Sequence, residues 1–205
     1  MLFTLKRLLL LAVIAAIAYC FWPRTPSLSG FDEQRMSEIQ IAVWKEAASK
    51  KHLSLLPPLF ELYHQQYRIT PVASMMMALD MARALSIFFN APDASEQENA
   101  LVPLRTFYVN LKNSTKATFD PDALARMELG TWMLQVDHSK RAQLTASISE
   151  RLAVLYGLSA EACLPAAKKF AQARKDAEDR RWDEAKASSL EGWQAVKKLA
   201  PAPPK

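Results

Sequence analysis

Glycine is nearly missing from this chain of 205 residues: there are 4, against 12 prolines. Hairpin turns need positive-φ backbone, which glycine supplies most cheaply, so its scarcity argues against a meander or barrel of antiparallel strands. Cysteine is scarcer still, with 2 residues, Cys20 and Cys163. They lie in unrelated segments, so no disulfide framework is expected, and Cys163 reads as a small buried hydrophobe. Histidine occurs 3 times, as His52, His64 and His138. Glu61-x-x-His64 has the spacing of a carboxylate-bridged di-metal helix, but that chemistry needs a second such motif and the sequence has none. His64 is therefore expected to face solvent or pack against tyrosine. Asp137 and His138 are neighbours that point to different helix faces, so they form no dyad by themselves.

Other signatures are missing too. There is no glycine-rich phosphate loop, no serine nucleophile elbow, no zinc-type Cys/His set and no kinase signature. From the sequence we expect no cofactor, no metal and no enzymatic activity. Charge of one sign is also in short supply. The formal net charge is +5, and Lys6 and Arg7 account for two of those charges. Lys168, Lys169, Arg174, Lys175, Arg180 and Arg181 are interleaved with Asp176, Glu178 and Asp179. That mixture reads as a solvated helix face, and nucleic-acid binding is not expected.

What the chain has is an apolar leader. Residues 8–22 read LLLLAVIAAIAYCFW, without a charge. A bilayer core takes about 20 helical residues, and residues 2–22 reach that length if Lys6 and Arg7 extend to the headgroups. Tyr19 and Trp22, with Phe21, suit the opposite interface. Lys6, Arg7, Tyr19 and Trp22 are thus the expected membrane-interface anchors, and Pro23 stops the helix. A cleaved signal peptide, ending at Ala16-Ile17-Ala18, is the competing reading, and lipidation of Cys20 fits poorly because Tyr19 precedes it. With the anchor retained, the basic flank stays cytoplasmic and the C-terminal domain lies outside the cytoplasmic membrane.

The expected organisation is an anchor over residues 1–23, a polar linker over 24–30, a helical domain over 31–200 and a disordered tail over 201–205. Ala and Leu are abundant and favour helix. Caps and periodicity predict about seven or eight antiparallel helices. The first spans 32–51. Pro57-Pro58 opens a second, and Thr70-Pro71 caps a third that is apolar nearly all round. Asp93 with Glu96 resembles a capping box, and a break or kink is expected at Pro103. Residues 113–119 read as a loop. Asp120-Pro121, Ser139 and Ser159 start further helices, with Gly157 as a C-terminal cap. Trp182, Ala185, Ser189, Trp193 and Val196 share one face of the last.

Landmarks repeat. Trp44, Tyr67, Thr70 and Ala82-Arg83 recur as Trp132, Tyr156, Ser159 and Ala173-Arg174, at offsets of 88, 89, 89 and 91 residues. Two related halves, 31–115 and 120–200, would give that order.

Three groups stand out as candidate functional residues. Asp80 sits in an apolar helix three residues before Arg83, and Glu128 sits in another. Asp80, Arg83 and Glu128 are candidates for a buried polar pair or a partner contact, with Glu128 expected to meet Arg83 or Arg68 of the first half. Met75, Met76, Met77 and Met81 are the candidate lining of an apolar groove. The expected function is that of a membrane-anchored helical interaction or scaffold protein, an accessory subunit or assembly factor of a bacterial envelope complex. The alternatives are an apolar small-molecule or lipid-binding module that uses the Met-rich helix, and an enzyme of unrecognised type.

Overall fold

A computed structural model describes residues 10–12, 18–19, 24–49 and 52–200 of the chain. Lys6, Arg7, Trp22, Cys20 and the tail 201–205 lie outside the described residues. Among the described residues there is no strand. From residue 24 on, the described residues form nine α-helices: α1 Glu33–Ala48, α2 Leu56–Glu61, α3 Pro71–Asn90, α4 Ala94–Gln97, α5 Leu101–Thr115, α6 Pro121–Val136, α7 Arg141–Tyr156, α8 Ala160–Glu178 and α9 Trp182–Leu199. The all-helical expectation holds.

The starts of these helices are written in short polar side chains. Asp32, Asp93 and Ser159 accept the backbone N–H three residues on, and Asp120 accepts from Asp122, followed by Pro121 at the first helical position. Each satisfies one donor that a helix start leaves orphaned. Gly157, at φ 66°, closes α7 in the left-handed region, and the Leu158 N–H returns to the Ala153 carbonyl at 2.9 Å.

Several local expectations are corrected. Thr70 precedes α3 but makes no side-chain cap; Ser74 Oγ bonds the Ile69 carbonyl nearby at 3.3 Å. Pro103 does not break a helix. It lies in the first turn of α5, just after a 3₁₀ turn over Glu98–Ala100, where a missing N–H costs nothing. Residues 113–115 belong to α5, which ends at Lys116 in the left-handed region. Ser139 lies in a 3₁₀ turn, His138–Lys140, capped by Asp137, and α7 begins only at Arg141. The second helix widens after Glu61 into a π turn, Leu62–Gln66, in which the Tyr67 N–H reaches the Leu62 carbonyl at 3.1 Å. Such turns concentrate at functional places in proteins because they re-aim side chains.

Apart from the short α4, which α5 bypasses to pack on α3, each helix packs on its neighbours in the chain, and the last returns to the first: α9 lies against both α8 and α1. The helices therefore close into a ring. The closing seam is polar as well as apolar. Ser37 Oγ donates to the Lys186 carbonyl at 2.8 Å, and Lys186 Nζ meets Glu38 at 2.9 Å. Gln40 Oε1 accepts from Ser189 Oγ at 2.6 Å and from Trp193 Nε1 at 2.9 Å. Phe31 stacks edge-on to Trp193, with centroids 5.3 Å apart. Between α8 and α9 the approach is tight. A Cβ on Gly192 would fall 2.7 Å from the Phe170 ring, so only glycine fits there.

Residues 24–30, read from sequence as a linker, lie on the domain. Ser27 and Ser29 are buried, and the Ser27 N–H donates to the Tyr67 carbonyl at 3.0 Å. The described part of the leader, Leu10–Ala12 with Ala18 and Tyr19, is helical and exposed. Among the described residues the one helix long and apolar enough to cross a membrane is α3, with mean hydropathy 1.5. Only part of its surface is buried in the domain.

Candidate functional site

The ring encloses a groove of about 220 Å³. Every α-helix but α4 contributes to its wall. Much of the wall follows from periodicity: α1, α3, α5, α6 and α7 each turn residues spaced three and four apart towards the groove, while α2, α8 and α9 contribute Leu59, Arg174 and Trp193. Most of those residues are apolar or aromatic, with Trp44, Trp132, Trp193 and Phe89 prominent.

A polar cluster crosses this apolar lining. Glu128, on α6, is 8% exposed. Its Oε2 accepts from the Tyr108 hydroxyl at 2.9 Å, and its Oε1 accepts from Trp132 Nε1 at 2.7 Å. Arg151 Nη1, from α7, completes the arrangement with an ion pair. A carboxylate taken out of water demands such saturation, since a buried charge without partners is costly. Burial opposes the Arg151 charge, but the Glu128 carboxylate outweighs it and holds the guanidinium protonated. Burial likewise pushes the Tyr63, Tyr108 and Tyr156 hydroxyls well above the ordinary phenol range, and Tyr67 to about 12. These phenols stay neutral; the Tyr108 hydroxyl donates to Glu128, and the Tyr156 hydroxyl is buried without a partner.

Arg174, on α8, is the second cation of the groove. Its guanidinium lies over the Trp44 ring, 5.2 Å from the centroid. Its nearest carboxylate is Glu178, whose oxygen is 3.7 Å from Nε and which also pairs with Arg141. Nε is buried and without a hydrogen-bond partner. Burial lowers the Arg174 pKa, with Glu178 opposing the shift.

The candidates read from sequence divide among three places. Glu128 lies at the groove, but its cation is Arg151 rather than Arg83 or Arg68. The reason is geometric: α7 packs directly on α6, whereas Arg83 and Arg68 are exposed. Asp80 is half-buried and accepts from Asn110 Nδ2 of α5 at 3.2 Å; burial raises its pKa, and Arg83 acts on it only through its field. Met77 and Met81 are buried, while Met75 and Met76 are exposed at 42% and 54%, so the four line no common groove. The outward pair belongs to an apolar stripe, Val72, Met75, Met76 and Leu79, spaced three and four along the outer face of α3.

His64 is buried rather than solvent-facing, and its tyrosine partner is Tyr19 of the leader. The Tyr19 hydroxyl lies 3.1 Å from His64 Nε2, and His64 Nδ1 lies 2.9 Å from the Ile69 carbonyl. Phe60 stacks on the imidazole, and Arg24 donates to the His64 carbonyl at 3.3 Å. Of the expected interface anchors, Tyr19 is thus in contact with the domain. Among the described residues, no group of three or more His, Cys, Asp or Glu is placed to hold a metal.

Sequence reading missed Arg151 and Arg174, yet a signal was present. Arg151 falls three residues after Ile148, and Arg174 four after Phe170, both on the apolar stripes of their helices. An arginine on a buried stripe is a stronger hint than one in a charge run. No protein-family model matches the sequence, and no curated protein or solved structure is significantly similar to it.

Proposed function

We propose that the chain is a membrane-anchored helical interaction protein, an accessory subunit or assembly factor of an envelope complex. The observation that carries this reading is the stripe of Val72, Met75, Met76 and Leu79, exposed on α3. Methionine and branched residues at three- and four-residue spacing are what a partner helix packs on, and methionine adapts to its shape. The stripe starts one turn after Ile69, whose carbonyl is tied through His64 to Tyr19 of the leader. This proximity supports an occupant from the same membrane: an apolar helix of an integral-membrane partner. Lys6 and Arg7 favour a cytoplasmic N-terminus and an extracytoplasmic domain.

The two halves, 31–115 and 120–200, fit an ancestral duplication. Trp44 and Trp132 both face the groove, Tyr67 and Tyr156 are both buried in the core, and the seam α9–α1 takes the place that α5–α6 holds between the halves.

The test is photo-crosslinking in intact cells from an unnatural residue at Met76, with Arg126 on an exposed face elsewhere as the control. A discrete protein adduct at Met76 alone is expected. A Met75→Glu/Met76→Glu variant should keep its melting temperature and lose co-purification of that protein. Recovery of the wild-type chain from mild detergent as a lone monomer, with no adduct at Met76, overturns the reading.

A further inference from the structure

The inside of the ring has chemistry that the outer stripe does not explain. Its wall carries one carboxylate, Glu128, and two guanidiniums, Arg151 and Arg174. Glu128 is saturated by Tyr108, Trp132 and Arg151. One cation therefore remains without a counter-charge on the wall. That cation is Arg174: like Arg151 it has a buried Nε without a hydrogen-bond partner, but where Arg151 has Glu128 as a close counter-charge, Arg174 has only Glu178, at 3.7 Å and shared with Arg141. A nearly buried guanidinium whose Nε donor is unused is costly to keep. Replacing it by an apolar side chain would relieve that cost, so its presence calls for an anion to complete it. Around it the wall is aromatic: Trp44 lies beneath the guanidinium, and Trp193, Trp132 and Phe89 line the same space.

We infer that the groove binds a small amphipathic carboxylate, its anionic end on Arg174 and its apolar or aromatic body among the tryptophans. A planar guanidinium matches a carboxylate in two parallel hydrogen bonds, which a lysine could not reproduce. The volume, about 220 Å³, lies below that of pockets for drug-sized ligands, so the ligand has on the order of ten heavy atoms. The second guanidinium, Arg151, is held close by Glu128, so the groove offers one cation, Arg174, and suits a ligand of a single negative charge. A neutral isostere would leave Arg174 unsatisfied, and a cation would be repelled. The site stands apart from the stripe on α3, so either can fail without the other.

The test uses the full chain in lipid nanodiscs and three water-soluble probes: 4-phenylbutyrate, its primary amide and 4-phenylbutylamine. Tryptophan fluorescence reads occupancy, since three tryptophans line the groove. Saturable quenching by the acid is expected, with the amide and the amine at least tenfold weaker. Arg174→Met should weaken the acid at least tenfold and leave the amide unchanged, while Arg126→Met, at an exposed arginine, should change neither. The acid, amide and amine series on the wild-type chain stands by itself should Arg174→Met fold poorly. No saturable response to the acid, equal affinity for acid and amide, or equal acid affinity in a folded Arg174→Met chain would each overturn the inference.

Discussion

Glu128 shows what a single side chain can decide. Its carboxylate ties α6 to α5 through Tyr108 and to α7 through Arg151. Truncation to alanine strands Arg151 in a buried place, and breaking such a pair costs about 3–5 kcal/mol. For a domain of this size that corresponds to a fall in melting temperature on the order of 10 °C. Glu128→Gln keeps acceptor capacity but loses the charge, so it should fall in the same direction by less. Circular-dichroism melts check both, and wild-type melting of the pair of variants would mean that the ion pair is absent. The acid was legible in the sequence, because it stands on an apolar helix. Its partner was not, since the choice among Arg68, Arg83 and Arg151 depends on which helix lies across from α6. Periodicity gives the face a residue occupies and says nothing of what meets it.

Helix by helix, caps carried most of the information. Asp32, Asp93, Asp120, Ser159 and Gly157 mark ends that a reader of the sequence can place. The π turn after Glu61 had no such marker: it contains the buried Tyr63 and ends at the buried Tyr67, and no local propensity announces it. Two glycines inside helices give opposite expectations. Gly130 in α6 has open space where a Cβ would stand, so Gly130→Ala should stabilise by about 0.5–1 kcal/mol through helix propensity. In α9, Gly192 has the Phe170 ring at 2.7 Å, and Phe170 is itself held against Trp193 at 5.0 Å. There the propensity gain is outweighed by overpacking of about 1–3 kcal/mol, and Gly192→Ala should melt lower. Denaturant midpoints at unchanged m-value would separate the two cases, and a common sign would refute the contrast.

At the scale of the whole molecule, ring closure depends on the meeting of α1 and α9, which no local pattern announces. Ser37 and Lys186 are 149 positions apart in the chain. The class, all-helical, was legible from composition, and the groove was not, because it exists only once the ends join. The seam also gives the fold a response to acid. Hydrogen bonds from Lys186, then Arg35 and Gln34, lower the Glu38 pKa from 4.5 to about 2. A carboxylate lowered in this way contributes stability that is present above 4.5 and lost as the pH falls towards 2. Because Glu38 faces solvent, the contribution is modest and screened by salt. Thermal melts from about pH 5 down to about pH 3 should therefore fall more steeply for the wild type than for Glu38→Gln. Parallel pH profiles for the two proteins would place the acid response elsewhere.

The same closure orders events in time. Neighbouring helices can pair as soon as each is made, whereas the segment that completes the circle is the last of the nine to be synthesised. Until it arrives the chain is an open horseshoe, with Arg174, Trp44 and Trp132 facing water. Contacts that span most of a chain carry the largest loop-closure cost and form late. A guest molecule thus has its widest access before the circle is shut, and afterwards the same interlocking that completes the shell slows its escape.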